Sequence, residues 1–134
     1  MKLKVCGIKD PENIKQLIDI QLDYIGFIFY PKSKRYVVNS LQSEIVRAIP
    51  SSINKVGVFV NESFDKIETR TKDYQLDFIQ LHGDESAEFC KQLSEKGFQI
   101  IKAFQIHKDF NFNKLDAYIA YCKYFLFDTQ TSLY

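Results

Sequence analysis

Short apolar runs alternate with longer amphipathic segments along the chain. The runs are rich in β-branched and aromatic residues, as buried strands are, whereas the segments between them repeat apolar residues at helical spacing. The pattern predicts six strands, at residues 2–8, 24–30, 55–60, 77–83, 99–106 and 123–129. Regular alternation of strands and helices predicts a parallel sheet with right-handed helical crossovers and strands in the order one to six.

Capping signals mark the ends of several predicted helices. Ser, Thr, Asp and Asn favour the position before a helix, a glutamine or glutamate three residues later completes a capping box, and glycine often follows a helix. The sequence thus predicts helix starts at Asp10 before Pro11, at Asn39 with Gln42 and at Asp84, and a helix end at Gly97. Weaker helical patterns cover residues 63–74 and 111–122.

Polar residues inside the predicted strands bear on the architecture. They are Lys4, Cys6, Gln80, His82 and Lys102. An open doubly wound sheet is covered by helices on both faces, so its strands are apolar throughout. In a closed (βα) barrel, polar side chains near the mouth line the active site, and this favours the barrel. Length favours the open sheet, because 134 residues fall short of the roughly 200–250 of a full barrel.

Composition limits the classes of function. The chain has 134 residues, 46% of them hydrophobic, which fits one domain over residues 1–134. The net charge is +1 with both signs interspersed, and no apolar run is long enough to cross a membrane, so we expect neither a nucleic-acid nor a membrane partner. We interpret the three cysteines as free thiols in a reducing cytoplasm. Neither a metal site nor a cofactor motif is evident.

Cys6 lies beside a cation at the end of the first predicted strand. Lys4 and Cys6 are two residues apart, so their side chains point to the same side of the strand. A nearby positive charge favours the thiolate form of cysteine. Taken alone, however, Cys6 also fits an inert buried thiol, which is a common role for cysteine.

Six stretches together resemble the phosphoribosylanthranilate isomerases of tryptophan biosynthesis. They occur at strand ends in that family's order and read "KVCGIKDPEN", "GFIFYPKSKRYV", "VGVFVNE", "IQLHGDE", "IIKAF" and "LFDT". The resemblance implies a (βα)8 barrel, of which this chain covers about the first six βα units. It also implies an Amadori rearrangement of N-(5'-phosphoribosyl)anthranilate to 1-(o-carboxyphenylamino)-1-deoxyribulose 5-phosphate, with a phosphosugar substrate and no cofactor.

The resemblance also implies roles for individual residues. Asp128 matches the general acid that protonates the ribose ring oxygen, and Cys6 matches the general base that takes the proton from C2'. Arg35 matches the arginine that binds the anthranilate carboxylate. We expect His82 to bind substrate near the mouth as a hydrogen-bonding histidine rather than as an acid or base. All four side chains are expected at the carboxyl ends of the strands, close to mouth glycines.

Acid and base need opposite pKa shifts. We expect the Lys4 charge to lower the pKa of Cys6, and the apolar residues 125–127 to raise the pKa of Asp128. Two groups shifted in opposite directions are typical of an acid–base pair.

Other interpretations of these residues remain open. Asp128 alone could cap a helix, and Arg35 lies in a basic loop that would ordinarily be solvated. Lys102 is more readily explained as a paired lysine of the barrel core than as a Schiff-base lysine. The remaining cysteines, Cys90 and Cys122, fall on helical faces and are interpreted as structural.

The sequence departs from the family pattern at its end. It stops six residues after Asp128, whereas the family continues with a glycine-rich loop and the seventh and eighth βα units, which hold the phosphate site. We therefore interpret the chain as an N-terminal portion of the enzyme, inactive alone and prone to self-association through exposed sheet edges. The alternatives are a catalytically dead scaffold fragment and another phosphosugar barrel, such as indoleglycerol-phosphate synthase.

Overall fold

The sheet has the predicted parallel order. The computed structural model describes residues 1–129, so residues 130–134 of the predicted domain lie outside the described part. The strands are β1 (Lys4–Cys6), β2 (Tyr24–Ile28), β3 (Asn54–Phe59), β4 (Phe78–Leu81), β5 (Gln99–Ile106) and β6 (Tyr124–Thr129). Neighbours along the chain pair in parallel, in the order β1 to β6. This confirms the predicted strand order and parallel pairing.

Four α-helices and one 3₁₀ helix connect the strands. They are α1 (Pro11–Asp19), α2 (Ser43–Arg47), α3 (Phe64–Tyr74), α4 (Ala87–Glu95) and the 3₁₀ helix (Phe112–Ala117) between β5 and β6. The segment 111–122 therefore forms a shorter and tighter helix than its pattern predicts. Within residues 1–129, no helix is both long and apolar enough to cross a membrane.

Strand β1 is shorter than the predicted run over residues 2–8. At its start, the backbone N–H of Leu3 donates to the Asp23 carboxylate at 2.7 Å instead of a neighbouring strand. At its end, Gly7 has a φ of +83°, which takes the chain out of the extended conformation. The turn at Gly7 directs the chain toward α1.

Of two predicted helix starts, one is confirmed and the other is wrong. The Asp10 side chain accepts a hydrogen bond from the N–H of Glu12 at 2.8 Å, which confirms the predicted cap of α1. The capping box predicted at Asn39 is wrong, because helix α2 begins at Ser43 and its N-cap, Gln42, makes no side-chain cap bond. A separate turn precedes it, in which the N–H of Leu41 bonds to Val37 at 3.0 Å.

Helix α4 starts two residues later than predicted. Its N-cap is Ser86, whose hydroxyl oxygen accepts from the N–H of Phe89 at 3.1 Å. Asp84 instead lies in the turn after β4, where its N–H donates to the Asn61 side chain at 2.7 Å. The predicted end is confirmed, since Gly97 follows the C-cap with a φ of +90°.

The helices share one face of the sheet. A large apolar cluster joins the outer face of the strands to buried residues of all four α-helices, including Ile14, Val46, Ile67 and Leu93. A second cluster contains only strand residues, namely Tyr24, Val56, Phe78 and Ile101, with Leu126 packed against them. The sheet thus has a helix-covered outer face and an inner face without helices, which excludes the doubly wound arrangement for residues 1–129.

The sheet is curved, with this inner face on the concave side. The hydroxyl groups of Tyr24 in β2 and Tyr124 in β6 lie 3.3 Å apart. In a flat sheet, four strand spacings of about 4.8 Å would separate these strands by roughly 19 Å. The ammonium group of Lys2 lies 3.4 Å from each hydroxyl, at the edge of the sheet formed by the amino-terminal ends of the strands. Curvature of this kind fits the barrel-type architecture that the polar strand residues favour.

Candidate active site

The four predicted site residues lie at the carboxyl-terminal edge of the sheet. Cys6 is the last residue of β1, Arg35 is in the loop between β2 and α2, His82 directly follows β4, and Asp128 is next to the end of β6. Because all strands are parallel, these ends meet at one edge. In (βα) barrels this is the edge that carries the active site.

Arg35 lies against the end of β1. Its guanidinium Nη1 donates to the backbone carbonyl of Cys6 at 3.3 Å. The side chain passes over Gly7, where a Cβ atom would come within 2.4 Å of Nη1. A side chain at position 7 would therefore displace the guanidinium, and the positive φ there would be strained as well.

The Cys6 thiol faces the neighbouring strand β2. Gly26 is its register partner, and a Cβ atom at Gly26 would lie only 2.7 Å from the Cys6 sulfur. Glycine at this position thus leaves room for the thiol. Lys4, the cation expected beside Cys6, lies two residues earlier on the same strand face. Arg35 brings a second cation to the end of β1, which the sequence pattern did not indicate.

His82 and Asp128 form a pair across the inner face. The His82 Nε2 atom lies 3.4 Å from an oxygen of the Asp128 carboxylate. The other ring nitrogen, Nδ1, lies 2.9 Å from the amide nitrogen of Gln80. A line of three polar side chains therefore runs from β4 to β6 at the mouth of the curved sheet.

The surroundings of Asp128 differ from the sequence-based expectation. Its side chain is 51% exposed rather than enclosed by the apolar residues that precede it. Phe125 and Phe127 point to the opposite face, where both rings pack near Phe104 with centroid distances of 5.4 and 6.5 Å. The reason is the alternation of side chains along a strand, which leaves only Leu126 of residues 125–127 on the same face as Asp128. The apolar enclosure predicted for this carboxyl is wrong for residues 1–129.

Two separate pairs therefore make up the predicted site. The structure joins Arg35 to Cys6 and His82 to Asp128. Among residues 1–129, no hydrogen bond or ion pair links one pair to the other. A substrate that reacts with both Cys6 and Asp128 would have to bridge β1 and β6 across the mouth.

A cleft of about 770 Å³ opens beside the second pair. It lies between the turn after β4 and the segment after β5, and it is lined by His82, Glu85, Phe104 and Tyr118, among others. Of the four predicted site residues, all within the described range, only His82 lines it. Residues 1–129 contain no group of three or more His, Cys, Asp or Glu side chains placed to hold a metal ion.

Lys102 does not lie on the polar inner face with His82, so this part of the sequence-based prediction is wrong. It pairs in register with Leu81 and points outward, toward the helices. Its ammonium group donates to a carboxylate oxygen of Glu85 at 3.2 Å and to the carbonyls of Gly83 at 2.8 Å and Ala103 at 2.9 Å. The expected paired lysine is thus present, but in the layer between sheet and helices.

Glu85 extends this buried pair to the turn after β4. The side chains of Lys102 and Glu85 are each 3% exposed. The Glu85 carboxylate also accepts from the N–H groups of Asn61 and Gly83, both at 2.9 Å. The pair thereby ties β5 and the loop after β3 to the turn that carries His82.

Cys90 and Cys122 lie in this outer layer too. Cys90 is buried in α4, and Cys122 packs against the same apolar cluster from the segment before β6, beyond the 3₁₀ helix. Two causes raise the pKa of the Cys90 thiol: the larger is a hydrogen bond with Cys122, and the smaller is burial. The same hydrogen bond lowers the pKa of Cys122.

The position of Cys122 differs from the prediction. It lies outside a helix, between the 3₁₀ helix and β6, and not on a helical face.

Comparison with known proteins establishes the family. A family model for N-(5'-phosphoribosyl)anthranilate (PRA) isomerase matches residues 3–132. The chain belongs to this isomerase family. The resemblance carried by the six sequence motifs is thereby confirmed.

Individual isomerases cover the whole chain. The N-(5'-phosphoribosyl)anthranilate isomerase of Parabacteroides distasonis is 40% identical over 135 residues, which span 100% of this chain and 61% of the relative. The crystal structure of the Thermotoga maritima isomerase superposes with a TM-score of 0.77 at 35% identity and covers 100% of this chain and 64% of its own. The chain thus spans about three fifths of the length of the curated isomerases that it matches.

A further solved isomerase carries a ligand. It is a crystal structure of phosphoribosyl anthranilate isomerase in complex with reduced 1-(o-carboxyphenylamino)-1-deoxyribulose 5-phosphate. It superposes with a TM-score of 0.74 at 35% identity and covers 97% of this chain and 66% of its own.

Three residues around the isomerase-family site have no role predicted from the sequence. Gln80 is one of them, although its place two residues before His82 puts both side chains on one face of the strand. Asn61 and Glu85 hold the turn that carries His82, with Asn61 at a φ of +48°. Their contacts span 24 residues of chain, and no spacing rule indicates them.

Proposed function

We propose that this chain supplies the acid–base residues of an N-(5'-phosphoribosyl)anthranilate isomerase. The observation that carries the proposal is the placement of Cys6 with Arg35, and of His82 with Asp128, at one edge of a curved parallel sheet. Family membership over residues 3–132 supports it. The substrate is then the phosphosugar N-(5'-phosphoribosyl)anthranilate, and the fold of the whole protein is a (βα)8 barrel to which these residues contribute six strands.

Asp128 acts as the general acid. Its carboxyl group gives a proton to the ribose ring oxygen, the bond from this oxygen to C1' breaks, and the anilino nitrogen forms a Schiff base with C1'. The carboxylate that remains faces the imidazole of His82, whose Nε2 lies 3.4 Å away. An N–H group at this distance favours the negative charge that develops on Asp128.

Cys6 acts as the general base. Its thiolate takes the proton from C2' of the protonated Schiff base. The electron pair of the C–H bond forms a double bond between C1' and C2', and the electron pair of the C1'–N double bond returns to the nitrogen. The resulting enol gains a proton at C1' and loses the proton of its C2' hydroxyl, which gives the ketose product. The Cys6 sulfur faces Gly26, so the neighbouring strand leaves it open space rather than a packed side chain.

Arg35 binds the anthranilate carboxylate. We predict that Arg35→Ala raises KM about 10–100-fold and lowers kcat less, because a charge-assisted hydrogen bond contributes about 1.5–3 kcal/mol and this one is remote from the bonds that change. Initial rates over a range of substrate concentrations measure both constants.

The control for Arg35 is Lys32→Ala, which removes an exposed positive charge from the same loop. It should leave KM within about twofold, since exposed charges are screened by solvent. An equal rise of KM in both variants would show that Arg35 contributes general loop charge rather than a specific contact.

The outer strands and the thiols extend the proposal to assembly and compartment. Within residues 1–129, β1 and β6 are the ends of the sheet. We propose that a preparation of these residues alone self-associates through the two edges, because an unpaired strand edge is a template for further pairing.

Three free cysteines fit a reducing compartment such as the cytoplasm.

The proposed activity is tested with a hybrid enzyme. It joins residues 1–134 to the part of the Parabacteroides distasonis isomerase that follows the aligned region. Loss of anthranilate fluorescence reports turnover, and the 134-residue chain is assayed beside it. We expect the hybrid to isomerise the substrate and the 134-residue chain alone to show no detectable turnover, because the chain matches only 61% of the length of this relative.

The intact relative is the reference for activity, and circular dichroism checks that the hybrid has folded. A folded hybrid without turnover, under conditions in which the relative is active, would overturn the proposed function.

A further inference from the structure

The line of polar side chains across the inner face contains a residue without an assigned role. We propose that Gln80 is a positioning residue that holds His82 in the tautomer with its proton on Nε2, so that His82 donates this hydrogen to Asp128. The catalytic consequence of this contact rests on the proposed function, whereas the tautomer itself does not.

Gln80 is fixed inside the curved sheet. It is 2% exposed, and its register partner on β5 is Ile101, a member of the inner apolar cluster. Its amide nitrogen lies 2.9 Å from Nδ1 of His82. Among residues 1–129, this amide is the hydrogen-bond partner of the His82 Nδ1 atom.

The two neighbours of His82 favour the same tautomer. The Asp128 carboxylate, 3.4 Å from Nε2, can only accept a hydrogen bond when it is ionised, so Nε2 carries the hydrogen. In a neutral imidazole Nδ1 is then an acceptor, and it requires a donor opposite. The amide nitrogen of Gln80 is this donor.

For a neutral ring, the opposite orientation of the Gln80 amide leaves the Asp128 carboxylate without a donor. If the Gln80 oxygen faced this ring, Nδ1 would have to carry the hydrogen, and the lone pair of Nε2 would then face the Asp128 carboxylate. The contacts at the two ring nitrogens thus select, for the neutral ring, the tautomer with its hydrogen on Nε2.

The buried amide has a cost that its contact with His82 explains. The Gln80 Oε1 atom is buried and has no hydrogen-bond partner among residues 1–129. A buried unpaired acceptor is destabilising, and an apolar side chain of similar volume would avoid it. Among the described residues, the contact that distinguishes glutamine from such a side chain is the hydrogen bond to His82.

In the proposed reaction this tautomer acts after Asp128 has given up its proton. The negative charge left on the carboxylate then meets a fixed N–H group that needs no reorientation. The proton of His82 stays on Nε2 throughout, so the histidine orients and stabilises Asp128 without itself transferring a proton.

Nitrogen NMR of the histidine ring tests the proposal. The chain has two histidines, so a His107→Gln variant of the ¹⁵N-labelled 134-residue chain assigns the signals of His82. At pH 8 we expect the His82 Nε2 resonance in the range of protonated imidazole nitrogens, and the Nδ1 resonance far downfield in the unprotonated range. In Gln80→Glu, a carboxylate replaces the donor, and Nδ1 should shift upfield into the protonated range.

Gln99→Glu is the matched control, because it makes the same change at an exposed position at the start of β5. It should leave both resonances of His82 in place. A protonated Nδ1 in the unaltered chain, or an unprotonated Nδ1 in Gln80→Glu, would overturn the proposal. The measurement on the unaltered chain needs no variant of Gln80 to fold. The NMR spectra of the unaltered chain and of Gln80→Glu do not depend on turnover. An inactive hybrid would therefore overturn the proposed function, whereas a wrong tautomer would overturn the role of Gln80.

Discussion

Asp128→Asn and Cys6→Ser are each expected to lower kcat of the hybrid enzyme by about 10²–10⁴-fold, the usual contribution of a general acid or base. An asparagine amide cannot release a proton to the ribose ring oxygen. A serine hydroxyl is a much weaker acid than a thiol, so at neutral pH it offers no anion to take the proton from C2'. Anthranilate fluorescence at saturating substrate measures kcat in each variant.

Two control substitutions separate these roles from a general loss of structure. Asp109→Asn changes an exposed aspartate before the 3₁₀ helix, and Cys122→Ser changes a thiol in the outer layer. Both should keep kcat within a few-fold. If Cys6→Ser retained most of its kcat in a folded hybrid, another group would have to be the base, and the same holds for Asp128→Asn and the acid.

The strand pattern was sufficient to predict the order of the sheet. Each apolar run formed a strand, and a βα alternation leaves parallel crossovers as the simplest connection. It also placed Cys6, His82 and Asp128 at one edge, because the ends of parallel strands coincide. Their roles came from the family resemblance, since a single cysteine or aspartate at a strand end has several ordinary interpretations.

The strand face of individual residues was predicted less well. Lys102 was grouped with the inner polar residues, yet its neighbour Ile101 is the residue that points inward. The error comes from the two-residue period of a strand, in which a shift by one position reverses the face. The same period explains why Phe125 and Phe127 do not enclose Asp128.

Contacts between residues far apart along the chain could not be predicted from the sequence. The partner of Lys102 is Glu85, 17 residues earlier, in a turn whose shape depends on hydrogen bonds to Asn61. No local propensity or spacing records such a contact. By contrast, the relation of Gln80 to His82 was available from their separation of two residues, which places both on one strand face.

The buried pair of Lys102 and Glu85 leads to the largest predicted effect on stability. Lys102→Met should lower the free energy of unfolding by about 3–5 kcal/mol, because it leaves the Glu85 carboxylate as a buried charge without its cation. Methionine keeps most of the volume of lysine, so a cavity contributes little. Urea unfolding of the 134-residue chain, followed by circular dichroism, measures the change.

A second substitution distinguishes the loss of a charge partner from the loss of packing. In the double variant Lys102→Met with Glu85→Gln, an amide oxygen at the position of Glu85 Oε1 can still accept from the N–H groups of Asn61 and Gly83, which lie 2.9 and 3.2 Å from that atom, while no charge remains. This variant should be more stable than Lys102→Met alone, since the uncompensated buried charge is the costly element.

The control is Lys72→Met, which breaks an exposed pair with Glu68, at 3.4 Å. It should lower the free energy of unfolding by less than about 1 kcal/mol. If Lys102→Met cost no more than Lys72→Met, the buried pair would not be what holds the turn after β4.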